Sequence, residues 1–216
     1  MAVCAAGLSK FLFSPNRVET CPGADAVVLV DEARRAAAQF ERQYGEPMPV
    51  ETLVKKVCAL KQLYTQWGGQ RPFGVKLVFA GYDNDRRSLA TTFSDATLIG
   101  GFQLYASDPS GTYGGYQGLA FGQNSAGGQS YLGNEYVKDL PLLADDAKDA
   151  LHLALTCMTK TSDSELDSGE HVDLFTISLN TKTSSDDICD HKFFDKDTIA
   201  GFLKTIKAND TSENNP

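Results

Sequence analysis

The sequence predicts an α+β fold in which two antiparallel sheets lie between two helical layers. Three observations carry that expectation. Residues 71–122 read as a meander of short strands. Two amphipathic helices precede it in succession. Two more helices, two strands and a last helix follow it. In the meander, Val75, Leu77 and Phe79 alternate with Lys76, Val78 and Ala80, the period of a strand with one apolar face. Phe102, Leu104 and Tyr105 open a second strand, and a third follows from about Thr112. Between them lies Asp108-Pro109-Ser110-Gly111, where Pro presets a negative φ and Gly tolerates the exit of a turn.

Residues 1–7 read as a short buried strand, and residues 9–23 show no period. Residues 24–44 form an amphipathic helix with Ala26, Leu29, Val30, Ala33, Ala37, Phe40 and Tyr44 on one stripe. Gly45 ends it, and Pro47 and Pro49 bar its continuation. Residues 50–67 form the second helix, with Val50, Leu53, Val54, Val57, Leu60 and Tyr64 as its apolar stripe. Gly68 and Gly69 stop it. Residues 86–99 then separate two strands, although hairpin loops usually take ~2–5 residues.

A fourth strand leads to a weak helix over 124–137, diluted by Gly127, Gly128 and Gly133. A better one over 144–160 buries Ala147, Ala150, Leu151, Ala154, Leu155 and Met158, and Asp145, Asp146 and Asp149 enrich its start. Residues 171–179 alternate as a strand, and 192–194 make a shorter one. Asp195 caps a final helix carrying Ile199, Phe202, Leu203 and Ile206, and 209–216 read as a polar tail. The expected organisation is one domain over 1–208, with 9–23 and 86–99 as inserts.

The chain has 216 residues, 42% of them hydrophobic, enough for a substantial core. A net charge of -8 argues against a nucleic-acid-binding face, which needs clustered Lys and Arg. No apolar run approaches the ~20 residues of a membrane span, and the N-terminus lacks the pattern of a secretory signal. Cys4, Cys21, Cys58, Cys157 and Cys189 are scattered, which fits neither a disulfide framework nor a zinc site and suits a reducing compartment. Without secretion the triplet Asn209-Asp210-Thr211 has no meaning as a glycan acceptor.

Candidate chemistry is sparse. His152, His171 and His191 lie on different elements, and no Gly-x-Ser-x-Gly elbow supports a Ser-His-Asp arrangement. Asp83-Asn84-Asp85 begins like a calcium loop but lacks Gly at the sixth position and Glu at the twelfth, so a solvated turn is expected. Gly114-Gly115 and the corner Gly122-Gln123-Asn124-Ser125 read as tight turns and not as a phosphate loop. No catalytic, cofactor-binding or metal-binding residue is expected.

Arg71-Pro72-Phe73-Gly74-Val75, then Gly81-x-Asp83, then Leu104-Tyr105-x-x-Asp108-Pro109-Ser110-Gly111-x-Tyr113 resembles the alpha-type subunits of the 20S proteasome. Residues 43–51 and 61–69 are most similar to the type-4 group of that family. The resemblance implies the four-layer fold of the N-terminal nucleophile hydrolases. It implies a non-catalytic structural subunit of the α ring, with other alpha and beta subunits and the regulatory particle as partners. It also implies a role in ubiquitin-dependent degradation in cytoplasm and nucleus, with no nucleic-acid or membrane partner. Active members of the fold use an N-terminal Thr, Ser or Cys, with its own α-amine as base. Met1 is none of these, and Thr91-Thr92 inside 86–99 is a poor processing site. A hydrolase of the same fold recorded without its N-terminus, or a defective truncated isoform, are the alternatives.

The resemblance further implies an N-terminal helix and first strands ahead of the point matching Met1. Without them, strands 171–179 and 192–194 are expected to carry open edges, and the isolated chain to be insoluble or molten and to enter a proteasome ring poorly if at all. Removing 9–23 would bring Gly7-Leu8 against Ala24-Asp25-Ala26, as in the family, and removing 86–99 would join Tyr82-Asp83 to Gly101-Phe102. Both inserts look like translated introns, with family-specific loops as the alternative.

Overall fold

The elements in chain order are β1 (Ala2–Ala5), β2 (Lys10–Phe11), α1 (Pro22–Tyr44), α2 (Val50–Gln66), β3 (Leu77–Tyr82), β4 (Phe102–Ser107) and β5 (Tyr113–Gly115). They continue with β6 (Gly118–Phe121), α3 (Ser125–Asp139), α4 (Ala147–Thr161), β7 (Phe175–Leu179), β8 (Cys189–Phe193) and α5 (Lys196–Glu213). The computed structural model describes residues 2–5, 10–11, 22–83, 102–122, 124–139, 147–161, 172–179 and 189–213. Cys21, Asn84, Asp85, residues 86–99 with Thr91 and Thr92, Gln123, Asp145, Asp146 and His171 lie outside the described residues. Contacts divide the chain into two compact units, Pro15–Tyr116 and the combination of Met1–Ser14 with Gln117–Pro216. Both mix helices with sheets whose described pairings are all antiparallel, the predicted class.

In Pro15–Tyr116 the sheet has the order β3-β4-β5. The meander is therefore present, with Leu77 opposite Ser107 and Ser107 opposite Tyr113. The fourth strand leaves it: β6 pairs with β1 in the other unit's sheet and not with β5. β3 starts two residues later than the alternation suggests, and all six of its residues are half-buried. Its expected apolar face is not realised, because β3 borders the sheet, and the buried Phe73 and Val75 precede the strand. β4, the central strand, is buried on both faces from Gln103 to Ser107.

The α1 stripe is narrower and rotated. Leu29 and Ala36 are buried, whereas Val30 and Tyr44, expected inside, are exposed together with Val27 and Val28. α1 begins at Pro22, inside the stretch read as aperiodic, where a Pro costs a first helical turn nothing. On α2, Val54 and Val57 are buried as expected, and Cys58, Glu51 and Lys61 join them.

The second unit has a five-stranded sheet of order β6-β1-β2-β7-β8. β2, also inside the stretch read as aperiodic, joins β1 through Ala5 and Lys10 and joins β7 through Lys10–Thr176 and Phe11–Phe175. The expected open edge of the 171–179 strand is thus corrected: β7 has β2 on one side and β8 on the other. β7 starts at Phe175, and β8 is longer than 192–194, pairing with β7 from Cys189 to Phe193. Phe194 falls outside it and donates its N–H to the Leu174 carbonyl at 3.0 Å. α5 continues to Glu213, into the stretch read as a tail.

Among the described residues, the core of this unit is an apolar cluster. Leu132 of α3, Leu151, Ala154, Leu155 and Met158 of α4, and Ile199, Leu203 and Ile206 of α5 pack with Val172 and Leu174. Of the predicted faces, Leu151, Ala154, Leu155 and Met158 on α4 and Ile199, Leu203 and Ile206 on α5 are buried, and Phe202 is partly so. α3 starts at a strained corner, with Gly122 at φ 103° and Asn124 at φ 60°. The Asn124 amide donates to the Thr161 carbonyl at 2.9 Å, so this corner is a structural turn that ties α3 to the end of α4.

Candidate functional site

The segments Arg71–Gly74 and Asp108–Tyr113 both lie in the Pro15–Tyr116 unit, where they close one helix–sheet corner from two sides. On the first side, Asp25 sits in the first turn of α1, where a carboxylate suits the helix dipole. Both Arg71 guanidinium nitrogens donate to it, each at 2.7 Å, in a fork-to-fork pair. The Gly74 N–H adds a third bond to Asp25 Oδ2 at 3.0 Å. These donors, the Arg71 fork first, hold the Asp25 carboxyl down at about 2. Phe73 turns inward between these ties, its ring 4.5 Å from that of Tyr64, in a cluster with Leu29, Val57 and Val75.

On the second side, Lys61 of α2 is fully buried. Its ammonium donates to Ser107 Oγ at 2.8 Å and to the Val75 carbonyl at 3.1 Å. The carbonyls of Asp108 and Ser107 lie at 3.4 and 3.5 Å. Burial pushes the Lys61 amine below its ordinary value, and burial likewise raises the neighbouring Cys58 thiol. One side chain thus joins α2, the segment leading into β3, and the end of β4.

The turn that follows is self-supporting. The Gly111 N–H donates to the Asp108 carbonyl at 3.0 Å, and the Asp108 N–H to Thr112 at 2.8 Å. Gly111 has φ +87°, and a Cβ there would meet the Cys58 carbonyl at 2.5 Å and the Gln62 nitrogen at 2.8 Å. Glycine is required on both counts, since the turn lies directly on the α2 backbone. Ser110 Oγ pairs with Thr112, and the Asp108 carboxylate meets Lys76 at 3.2 Å. Pro109 occupies the turn, and Tyr113 starts β5 with its ring 6.4 Å from Tyr105.

Asp83 belongs to the same corner. It is not a solvated turn residue: both carboxylate oxygens accept from the Val50 N–H at the start of α2, at 3.2 and 3.0 Å. The Gln103 amide donates to it at 2.9 Å. Burial raises its carboxyl above the usual range. It is a helix cap supplied by a distant strand.

Ser107 and Lys61 have the composition of a nucleophile and its base. Both are completely buried, at 0% exposure, so no substrate meets them, and the pair is a structural hydrogen bond. His152 is exposed on α4, with Nδ1 3.4 Å from Thr156 Oγ1. Cys58 and Cys157 are free and buried, and the side chains of Cys4, Cys189 and His191 are not among the described ones. Among the described residues, no three His, Cys, Asp or Glu side chains form a metal-binding group.

Lys61 and Asp25 were not singled out by the sequence reading. A signal for Lys61 does exist: it completes an i, i+3, i+4, i+7 set with Val54, Val57 and Cys58. No local pattern marks Asp25, whose partner lies 46 residues away.

Helices on antiparallel sheets, and motif segments occupied with holding a corner together, define a structural module of the αβ class. A family model described as "Proteasome subunit" matches residues 22–177, and the chain belongs to that family. Its fold is accordingly of the N-terminal nucleophile hydrolase type. The chain is 42% identical over 155 residues to "Proteasome subunit alpha type-4" of Spinacia oleracea, covering 72% of this chain and 54% of that protein. It is 43% identical over 157 residues to "Proteasome subunit alpha type-4-A" of Arabidopsis thaliana, covering 72% and 54%. It is 44% identical over 140 residues to the alpha type-4 subunit of Dictyostelium discoideum, covering 64% and 48%. The chain spans about half the length of the curated relatives it matches.

Proposed function

We propose that this chain is a non-catalytic structural subunit of the 20S proteasome α ring, assembling with other alpha and beta subunits. One observation carries the reading. The segments shared with alpha-type subunits, Arg71–Gly74 and Asp108–Gly111, use their polar groups to fix α1, α2 and the meander in one geometry. That is the work of a part that must fit neighbours. The relatives' own names, alpha type-4, support the same assignment. On this reading the subunit shapes the entry to the chamber and serves ubiquitin-dependent degradation together with the regulatory particle, in cytoplasm and nucleus. Residues 9–23 and 86–99 are inserts relative to the family pattern, and peptides from native protein that join the flanks directly would show them spliced out.

The test is co-expression of the full chain with neighbouring alpha and beta subunits. β7 is paired on both sides and not left open. The expected result is therefore recovery in assembled 20S particles, against the poor ring entry that open strand edges would cause, with no peptide hydrolysis by the purified chain. Hydrolysis abolished by a threonine-directed covalent inhibitor would overturn the non-catalytic reading. Absence from every assembly intermediate would overturn the structural one.

A further inference from the structure

Between the last turns of α1 and the first turns of α2, inside the Pro15–Tyr116 unit, lies an open cleft of ≈ 390 Å³. Nothing in the proposed function uses it. Its apolar part is Phe40, Tyr44 and Met48. The two rings stand 4.4 Å apart, tilted by 39°, and Tyr44 is 60% exposed. Its polar part is Lys55 and Lys56 on one wall and Gln43 on another. Among the described residues no carboxylate lines it, although the chain as a whole carries a net charge of -8.

We propose that this cleft binds a flat aromatic monocarboxylate. The volume lies at the lower end of the range for small-molecule sites, which are mostly apolar with a few polar groups that set orientation. An aromatic body can stack on the Phe40–Tyr44 pair, and the Met48 thioether adapts to the ring edge. A carboxylate on that body meets the lysine wall. Lys55 already holds Glu51, Nζ to Oε1 at 2.7 Å, so Lys56 is the ammonium that answers the ligand. A second ring without a charge would leave that ammonium in water and gain less. The Gln43 amide supplies a donor from α1.

The probe is 2-naphthoate, titrated into the full chain by calorimetry, with 2-naphthamide as a neutral analogue of the same shape. Saturable binding of one naphthoate per chain is expected. Lys56→Gln, with its melting temperature checked against the parent, should weaken binding about tenfold, the scale of one charge-assisted hydrogen bond. The amide should bind the parent chain more weakly by a similar factor, a comparison that needs no variant. Equal affinity for acid and amide would overturn the proposal. So would non-saturable binding, or a folded Lys56→Gln chain that binds naphthoate as the parent does.

Discussion

In the unit that contains Gln117–Pro216, the fully buried side chains of largest volume are aliphatic: Leu132, Leu155, Leu174, Ile199 and Leu203. Among the described residues of Pro15–Tyr116 the largest is a lysine. The first core is held by area removed from water, which has no direction and tolerates swaps of similar volume. The second combines a smaller apolar cluster with directed ties from Asp25, Lys61 and Asp83, each of which works in one geometry only. The segments Arg71–Gly74 and Asp108–Tyr113 fall in the second. A segment whose residues make directed bonds is recognisable by identity, whereas an aliphatic face is recognisable only by period.

The contrast can be broken by substitution on either side. The largest loss is expected in the aliphatic core: Leu155→Ala should cost about 3–5 kcal/mol, read from the shift of the urea midpoint, because a cavity opens among α3, α4 and α5. A loss under about 1 kcal/mol would mean that this cluster is loosely packed. Gly111→Ala comes next, at about 2–4 kcal/mol, from a left-handed φ and a Cβ pressed on the α2 backbone. Tolerance of alanine there would show that the turn does not lie on α2.

Lys61→Met keeps the length and removes the charge. It should cost about 1–3 kcal/mol, since Ser107 Oγ and the Val75 and Asp108 carbonyls lose their donor in a dry site. The pH dependence separates charge from volume. The Lys61 amine titrates lower in the folded chain than its ordinary 10.5, so the unfolded chain holds the proton longer. Stability of the parent relative to the variant should therefore rise as pH climbs through the folded value towards 10.5. A parallel pair of pH curves would rule out a buried ammonium.

The Asp25 tie acts at the other end of the scale. Its carboxyl titrates at about 2 in the fold against 3.8 ordinarily. Its contribution is complete above 3.8 and is lost as pH falls towards 2, a loss that Asp25→Asn should abolish in acid melts. The smallest change is a gain. Gly201 in α5 has open space where a Cβ would stand, so Gly201→Ala should stabilise by about 0.5–1 kcal/mol, visible as a higher melting temperature. Destabilisation there would mean that the space beside Gly201 is not open in the folded chain.

Period and punctuation made most elements legible. α4 and α5 repeat their aliphatic residues at helical spacing, and the spacing found the faces that are buried. The Asp108–Gly111 turn was readable from Pro and Gly because Pro fixes a negative φ locally and Gly admits a positive one. Where reading failed, the cause lies beyond the local chain. β2 is two residues long, too short for any period, and exists because β1 and β7 offer their edges. The exposed Val30 and Tyr44 carry the composition of a core face, and only the placement of α2 beside α1 decides which side is covered.

By itself the sequence determined the class of fold, the order of its helices and of its strands other than β2, and the membership of the proteasome family. These rest on periods, turn residues and identity, all of which are local. The tertiary structure alone decided that Lys61 is buried, that Asp25 receives Arg71 and Gly74, and that Asp83 caps a helix 33 residues before it. A charged side chain enters a core only where several acceptors converge, and those acceptors come from strands far apart in the chain, so no window of sequence contains the reason.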